Sequence, residues 1–580
     1  MKLAALAVDY DGTIAIDGAF DPAVREALAA IRAQGIAAVL VTGRRLTDLQ
    51  RVAGNLTCFD VVVAENGAVL EFPASGRHVV IGHPPNRLFV SELQARGVPF
   101  VAGETIVEAD AGSAGTILDV LRRLEQPLVL AFNRGRVMVL PQAVAKSTGL
   151  RQALLALRVS IHNTVGIGDA ENDHDLLDAC EVGVAVDWGS AALRAVADEI
   201  ITGTGPPAVA EYIRRIARQP RLSASQMGRR RLLLGHALDG TAVSLAVRGR
   251  TMLIAGEPGT GKSWLAGLLC EQLVLQGYCM CIIDPEGDYR ALEALPGVIT
   301  LGGDDPLPSA RDLVRALRHP DVSVIIDLSK TPHGQKVEYV QTLLPLLVGL
   351  RRRTGLPHKI LLDEAHHYLS GPTSGELIDP ELAGYMLVTY RVSALDAAIR
   401  ETRDAVVMVT RETDPREAEI LLALCRPRPC AAIHPRVFRD LAMREAAILP
   451  GAEEAHGEVR RFGIAPRLTA HVRHRSKYLD MPVLDAQAFV FTEAGQPGLH
   501  ARTLKEFMGL LAALPAANVQ AHLARHDFSR WIAEVFHDHP LGSHVRTLED
   551  RADTEDAHDV AMDIAQSIRA RYETTADTAA

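Results

Sequence analysis

Two aspartates, Asp9 and Asp11, stand one residue apart directly after an apolar run, Leu3–Val8. Because side chains alternate along a strand, we expect both carboxylates on one side of the strand end. Gly12 permits a sharp turn behind them. Two convergent carboxylates can hold one Mg2+ and divide a reaction between a nucleophile and a general acid/base. The alternative is a common Asp-Gly turn at the end of a strand.

Further polar clusters follow apolar segments in the first third of the chain. Alternating strand and helix patterns predict a parallel sheet here, and the carboxyl edge of such a sheet gathers these clusters in one crevice. We therefore expect them to lie beside Asp9 and Asp11. They are Thr42-Gly43-Arg44, Lys146 and Gly168-Asp169-Ala170-Glu171-Asn172-Asp173.

In type, order and context, these clusters resemble motifs of the haloacid-dehalogenase (HAD) phosphohydrolases of the Cof-like type. The matching patterns are D-x-D-G-T, the strand followed by T-G-R, the lone lysine, G-D-x-x-N-D and the N-G-A at Asn66-Gly67-Ala68. The resemblance covers about residues 1–215. It implies a Rossmann-like core at 1–78 and 146–215, and a small α+β cap at 79–145 that supplies substrate specificity.

The resemblance also implies a reaction on a phosphorylated small molecule, for instance a sugar phosphate. Asp9 would form an aspartyl-phosphate, and Asp11 would act first as acid and then as base. Asn172 would orient the phosphate. The implied catalytic residues are Asp9, Asp11, Thr42 and Lys146, and the implied Mg2+ ligands are Asp9, Asp11, Asp169 and Asp173. In the cap, Asn133, Arg134 and Arg136 either touch substrate or form a solvated hairpin tip.

A second constellation begins with an apolar strand, Thr251–Ala255, which leads into a Walker A loop and then a helix, Trp264–Leu275. Strand, loop and helix in this order are the context that the phosphate-binding loop requires. Lys262 would reach the outer phosphates of ATP, and Ser263 would ligate Mg2+. The predicted ATP-binding residues are Gly256, Gly259, Thr260, Gly261, Lys262 and Ser263.

The other parts of an ATPase site follow. The strand Lys359–Leu362 ends in a Walker B pattern in which Asp363 would hold the Mg2+ shell and Glu364 would activate water. The stretch Asp284–Tyr289 resembles the D-P-x-G-x-Y of HerA/FtsK-type ATPases, and this resemblance covers about residues 230–435. It implies a RecA-like parallel sheet, a homo-oligomeric ring and a polar sensor at Thr389-Tyr390.

Arg391 and Arg411 lie just beyond predicted strand ends. In a ring, either side chain would be placed to act on a neighbouring subunit as an arginine finger. The alternative for each is a salt-bridged surface arginine.

The predicted fold class is α/β multidomain: a HAD Rossmann-like core with a small α+β cap, a RecA-like P-loop ATPase domain at 233–440 and a small helical C-terminal module. A basic linker at 216–232 joins the first two parts. It is interpreted as a solvated connector, with phosphate or nucleic-acid contact as the alternative. Residues 441–572 are predicted to be mixed and then helical, and 573–580 to form a disordered tail.

Composition restricts the class of protein. The chain has 580 residues, of which 48% are hydrophobic. Its net charge is −10, so the overall charge does not indicate nucleic-acid binding. Seven cysteines without a C-x-x-C pair predict reduced thiols. Because no apolar run approaches the ~20 residues of a membrane span, we expect a cytoplasmic protein without membrane contact.

Three functions are compatible with these features. The first is a small-molecule phosphatase that its ATPase regulates or assembles. The second is a HerA/FtsK-type nucleic-acid motor whose phosphatase acts on nucleotides or nucleic-acid ends. The third is an interaction scaffold that uses ATP binding as a switch, which the complete sets of predicted catalytic residues disfavour.

Overall fold

The computed structural model describes residues 2–133, 135–219, 229–247, 250–371, 374–379, 382–400, 405–425, 434–450, 458–470, 479, 483, 487–493, 496–536 and 538–572. Arg134, residues 220–228 of the predicted linker and the predicted tail 573–580 lie outside the described residues.

The N-terminal part alternates strands and helices. Its strands are β1 (Ala5–Val8), β2 (Ala15–Ile16), β3 (Ala19–Phe20), β4 (Ala37–Val41), β5 (Val61–Ala64), β6 (Val69–Phe72), β7 (Arg77–Val80), β8 (Phe100–Ala102), β9 (Val107–Asp110), β10 (Leu128–Asn133), β11 (Arg136–Pro141), β12 (Thr164–Gly168), β13 (Val182–Val186) and β14 (Glu199–Ile201). Its helices are α1 (Pro22–Ala33), α2 (Leu46–Ala53), α3 (Arg87–Ala95), α4 (Ala114–Arg123), α5 (Lys146–Leu157), α6 (His174–Ala179), α7 (Ala191–Val196) and α8 (Gly205–Arg218).

The core sheet has the strand order β14-β13-β12-β1-β4-β5-β6-β7. Strands β14 to β5 are parallel, whereas β6 and β7 are antiparallel additions at one edge. All four residues of β1 are buried, as expected for a strand that helices cover on both faces. The cap is a separate antiparallel sheet, β10-β11-β9-β8, with α3 and α4 packed on one face.

The central part forms a second sheet with the order β16-β15-β25-β24-β23-β17-β22-β21-β18-β20-β19. These strands are β15 (Arg231–His236), β16 (Ala242–Ala246), β17 (Met252–Ala255), β18 (Met280–Asp284), β19 (Val298–Gly302), β20 (Ser323–Asp327), β21 (Lys359–Leu362), β22 (Tyr385–Thr389), β23 (Val406–Val409), β24 (Glu445–Ile448) and β25 (Arg460–Ile464). The helices are α9 (Lys262–Leu275), α10 (Ala310–Ala316), α11 (His333–Thr354), α12 (Ala397–Arg400), α13 (Pro415–Ala423) and α14 (Arg436–Arg439).

The C-terminal module combines a hairpin with helices around an aromatic core that includes Phe489, Phe507 and Trp531. The hairpin, which the sequence patterns did not predict, is β26 (Phe489–Glu493) and β27 (Gln496–Ala501). The helices are α15 (Leu504–Ala513), α16 (Ala516–Ala524), α17 (Asp527–Val535), α18 (His539–Glu549) and α19 (Ala557–Tyr572).

The sheets correct several predicted boundaries. Strand β7 crosses the predicted core–cap boundary at 78/79, and α8 and β15 shorten the predicted linker 216–232 at both ends. Strands β24 and β25 lie beyond residue 440 but belong to the second large sheet, because β24 pairs with β23 and β25 pairs with both β24 and β15. Pairing between residues far apart in sequence leaves no local signal.

Among the described residues, none of the helices is both long enough and apolar enough to cross a bilayer.

A buried polar seam joins the two large sheets at the amino ends of β12, β18 and β21. The Tyr278 hydroxyl donates to Glu181 Oε2 at 2.9 Å, and the Tyr278 ring stacks on His162 with 3.7 Å between centroids. Both ring nitrogens of His162 lie 2.9 Å from oxygen atoms, Glu181 Oε2 and Gln276 O.

The seam contains a second buried histidine, His358. His358 Nδ1 accepts from the Cys279 N–H, and His358 Nε2 lies 3.2 Å from Asn163 Oδ1, so this ring is neutral. Burial holds the pKa of His358 well below its usual value. The seam is closely fitted, because a Cβ on Gly355 would lie 2.6 Å from Asn163 Nδ2. Buried polar groups that are all hydrogen-bonded favour one fixed arrangement of the two sheets.

Candidate active sites

The first candidate site lies at the carboxyl edge of the core sheet, where β1, β4 and β12 end. Lys146, the first residue of α5, is 1% exposed and donates to Asp9 Oδ1 at 2.6 Å and to Asp173 Oδ1 at 2.5 Å. Carboxylate oxygens of Asp9, Asp169 and Asp173 lie within 4.8 Å of one another. The structure therefore brings together four of the side chains that the sequence singled out.

The charges of this cluster fit a divalent cation. Three carboxylates face one ammonium in a buried site, and all-oxygen donor sets suit Mg2+. Burial raises the pKa of Asp9 well above its usual value, and Asp173 adds to this while Lys146 opposes it. Burial alone would lower the pKa of Lys146, but Asp173 and Asp9 raise it overall. An added cation would favour the ionised form of Asp9 that a nucleophile requires.

Backbone donors hold the cluster in place. Asp173 Oδ2 accepts from the backbone N–H groups of Asp169 and Ala170, each at 3.0 Å. Thr13 Oγ1 donates to Asp169 Oδ1 at 3.3 Å. A Cβ on Gly168 would lie 2.6 Å from Asp173, so glycine is needed for this close approach.

Asp11 lies apart from the other carboxylates, contrary to the expectation from strand alternation. Strand β1 ends at Val8, and the backbone N–H groups of Ile14 and Ala15 both donate to Tyr10 O in a turn. The alternation therefore stops before Asp11. Its carboxylate is held by Arg44 through two hydrogen bonds of 2.6 and 2.7 Å. The sequence highlighted Arg44 as part of a motif but assigned it no role.

Thr42 and Asn172 border the same crevice. Thr42 is buried at the end of β4, and its Oγ1 accepts from the Arg44 N–H at 3.1 Å. Asn172 Nδ2 donates to Asn66 Oδ1 at 3.4 Å. The cap covers this crevice, since a Cβ on Gly43 would lie 3.6 Å from the sulfur of Met138 on β11.

A carboxylate that the sequence analysis missed fastens the cap to the core. Glu65, 1% exposed, accepts from the backbone N–H groups of Glu104 and Thr105, each at 2.9 Å, and from Thr105 Oγ1 at 3.1 Å. Its position directly after the apolar strand β5 and before Asn66 was the available signal. Asn66 follows Glu65 directly and accepts a hydrogen bond from Asn172. Glu65 therefore holds the cap close to Asn66 and Asn172.

The candidate cap contacts differ among themselves. Asn133 Oδ1 is buried and has no hydrogen-bond partner among the described residues. Arg136 pairs with Glu108 at 2.9 Å on the cap surface. Asn133 is therefore the better candidate for a substrate contact of these two.

The second candidate site is the loop between β17 and α9. Gly256, Gly259 and Gly261 have positive φ values of 140°, 79° and 113°, and a Cβ on Gly256 would lie 2.1 Å from Thr410 Oγ1. Lys262 Nζ and Thr260 Oγ1 donate to Glu257 O at 3.0 and 2.7 Å. Ser263 is the second residue of α9. The helix N-terminus and the loop together form a cradle suited to phosphate.

Walker B residues lie one strand away, because β22 separates β17 from β21. Asp363 and Glu364 are buried, and Glu364 has a left-handed backbone with φ 49°. Glu364 Oε2 has no hydrogen-bond partner among the described residues and lies 3.7 Å from His366 Nδ1. His366 bonds Thr389 Oγ1 at 3.0 Å and packs against Tyr390. The predicted sensor is thus linked to the Walker B turn by a histidine.

The remaining predicted groups have local partners. Asp284 accepts from four successive backbone N–H groups, those of residues 286 to 289, and so shapes its own loop. Arg411 pairs with Glu257 of the same chain at 3.2 Å, and the Arg391 guanidinium lies 3.5 Å from Gln487 Oε1. These contacts are those of surface arginines within one chain.

Comparisons with known proteins divide the chain in the same way. Residues 6–81 and 107–213 match the model for haloacid dehalogenase-like hydrolases. A phosphoglycolate phosphatase of Natronomonas pharaonis is 30% identical over 34% of this chain and 91% of its own length. The chain belongs to the haloacid dehalogenase-like hydrolases.

Other relatives of this hydrolase agree in extent. A phosphoglycolate phosphatase of Methanothermobacter thermautotrophicus is 28% identical over 36% of this chain and 97% of its own length. A solved haloacid dehalogenase-like hydrolase from Bacteroides thetaiotaomicron is 19% identical and covers 37% of this chain and all of its own, with a TM-score of 0.33. Residues 232–304 match the central domain of the helicase HerA, so the hydrolase is fused to a HerA-type domain.

Proposed function

We propose that this hydrolase cleaves small phosphate monoesters through an aspartyl-phosphate on Asp9, and that its HerA-type domain binds and hydrolyses ATP. The observation that carries the first part is Lys146, which bridges Asp9 and Asp173 in a buried site beside Asp169. An ammonium held between carboxylates beside a candidate nucleophile supplies positive charge where a phosphoryl group would transfer.

The proposed reaction has two steps. An Asp9 carboxylate oxygen forms a bond to phosphorus while the bond to the ester oxygen breaks, and Asp11 donates a proton to that leaving oxygen. Water then attacks phosphorus, Asp11 takes its proton, and the Asp9–phosphorus bond breaks to release phosphate. Asp11 must turn from Arg44 toward the phosphate to do so. Mg2+, held by Asp9, Asp169 and Asp173, would neutralise charge on the phosphoryl oxygens.

The substrate is proposed to be small. The names of the curated relatives specify phosphoglycolate, and here the cap lies close above the crevice, with Met138 over Gly43 and Glu65 fastening residues 104 and 105. We therefore propose a small acid phosphate as the substrate, rather than a sugar phosphate or a nucleotide.

A panel of phosphate esters tests this proposal. We expect phosphoglycolate to be hydrolysed with a higher kcat/KM than hexose phosphates and nucleoside monophosphates. Chelation should remove the activity, and added Mg2+ should restore it. Release of inorganic phosphate measures each rate. A chain that is folded by circular dichroism but hydrolyses none of these esters above buffer would contradict the proposed function.

The ATPase part is proposed on the geometry of its two loops. Gly256 to Ser263 form the phosphate cradle, Lys262 would contact the outer phosphates, and Ser263 and Asp363 would hold Mg2+. Glu364 would orient the attacking water and accept its proton. Its buried oxygen without a described partner is available for that water.

A nucleic-acid motor is the second candidate function, favoured by the match to the HerA central domain. If it is correct, the chain should form a ring and bind DNA through phosphate contacts. Affinity for a DNA duplex should then fall steeply with salt, since log K falls with log[salt] by about 0.9 per phosphate neutralised. Fluorescence anisotropy with ATP and Mg2+ between low and physiological salt measures this slope. Absence of binding at low salt would eliminate the motor.

A further inference from the structure

The end of β25 lies against the phosphate loop although it comes far later in the chain. The Ile464 N–H donates to Arg444 O at 2.8 Å, and Ile464 Cδ1 lies 3.9 Å from the position a Cβ would occupy on Gly261. Arg444 is therefore placed beside the loop by its pairing with the end of β25. Its own backbone is left-handed, with φ 63°, a conformation that is strained for a non-glycine residue.

Trp264 connects Arg444 to the phosphate loop. It follows Ser263 directly in the first turn of α9, and its indole Nε1 donates to Ala465 O at 3.2 Å. The Arg444 guanidinium carbon lies 4.4 Å from the centre of the Trp264 ring, within the range of a cation–π contact. The ring thus holds the Arg444 guanidinium next to the residues that would bind phosphate, and the Arg467 guanidinium carbon lies 5.8 Å from the same ring centre.

Arg444 differs from nearby arginines because it has no carboxylate partner among the described residues. Arg411 pairs with Glu257, and the buried Arg467 lies 4.0 Å from Glu271. Arg444 is exposed and makes no ion pair with a carboxylate in the described parts of the chain. Arg444 is thus a strained, exposed cation that contacts an aromatic ring beside a phosphate loop. Such a group is suited to bind an anionic or aromatic ligand.

We propose that Arg444, supported by Trp264, binds the base and ribose side of the nucleotide. This inference rests on the proposed ATP site. Lys262 and Ser263 would take the outer phosphates, so the rest of the nucleotide must extend away from the loop. Arg444 is exposed, so its planar guanidinium can also stack on a purine base.

The test compares ATP with inorganic tripolyphosphate, which has the phosphates and lacks the base. Calorimetric titration of the full chain with Mg2+ gives both affinities for wild type, Arg444→Ala and Arg444→Lys. The matched control is Arg439→Ala, an exposed arginine on α14 of the same segment. We expect Arg444→Ala to weaken ATP about tenfold and leave tripolyphosphate within about twofold, as loss of a stacked cation implies. Arg444→Lys should lose affinity as well, because lysine has no planar face.

Each result decides something. An ATP affinity of Arg444→Ala within about twofold of wild type overturns the inference. Equal losses for ATP and tripolyphosphate overturn the assignment to the base side. A loss of equal size in Arg439→Ala also overturns it, because the effect would then be general electrostatics. A wild-type chain that binds no ATP refutes the proposed ATP site instead, and thermal unfolding transitions that match wild type show that the variants are folded.

Discussion

Replacing Asp9 with asparagine is expected to abolish phosphate-ester hydrolysis while ATP hydrolysis continues. The amide cannot form the aspartyl-phosphate, and loss of a covalent nucleophile lowers kcat by at least about 10³-fold. The ATP site is unaffected, because Lys262 and Glu364 lie on the other sheet. Asp9→Asn leaves an amide oxygen to accept from Lys146, so the fold should persist. Phosphate release from the preferred ester and from ATP, measured on one preparation, checks both parts.

A matched control is Asp17→Asn, which makes the same chemical change at an exposed residue of the hairpin that follows Asp9. It should leave both activities unchanged. If Asp9→Asn also removes ATP hydrolysis in a protein that unfolds like wild type, the two sites are not independent and the proposal of separate activities is wrong.

The second large effect separates ATP binding from ATP turnover. Glu364→Gln keeps the size of the side chain but loses the base, so ATP should bind while hydrolysis falls by about 10²-fold or more. Lys262→Ala should weaken ATP binding itself, because it deletes a charge that contacts the outer phosphates. Glu376→Gln, at an exposed position of the same domain, is the control. Calorimetry and ATPase rates distinguish the two variants, and full turnover by Glu364→Gln would exclude Glu364 as the base.

The same variants reveal whether ATP regulates the phosphatase. Both proposed sites lie at the carboxyl ends of strands whose amino ends meet at the seam. Each proposed site is therefore about 15 Å from the seam, at ~3.3 Å per residue. A phosphoryl group therefore cannot pass directly from one proposed site to the other. Any effect of ATP on the phosphatase rate would pass through the seam. With ATP present, Glu364→Gln should hold the phosphatase in its ATP-bound state and Lys262→Ala in its empty state.

Tyr278→Phe provides the structural control for that experiment. It removes the hydroxyl that donates to Glu181 across the seam and leaves both sites intact. If the seam transmits the nucleotide state, this variant should retain both activities and lose the effect of ATP on the phosphatase rate. Equal phosphatase rates for Glu364→Gln and Lys262→Ala, with and without ATP, would show two tethered but separate enzymes.

Much of the local structure was predictable from the sequence because it depends on neighbouring residues. Apolar runs that end in Asp9, Thr42 and Asp363 indicated buried parallel strands with polar ends, since such strands are hydrophobic throughout. The glycine spacing from Gly256 to Gly261 indicated the phosphate loop, because only glycine tolerates the close approach to Thr410. The sequence singled out Lys146, which the structure places between Asp9 and Asp173, although its helix, α5, was not predicted.

The tertiary structure decided which partner each charged group takes. Spacing predicted that Asp11 would join Asp9, but the turn after Val8 gives Asp11 to Arg44. The position of Glu65 after β5 marks a polar strand end but does not reveal that Glu65 fastens the cap. Nothing local indicates that His162 and Tyr278 join the sheets. The local sequence also does not indicate that Arg444 contacts Trp264, which lies 180 positions earlier in the chain. Each polar side chain has many possible partners elsewhere in the chain. The pairing of strands far apart in sequence determines which of these partners lie within contact distance.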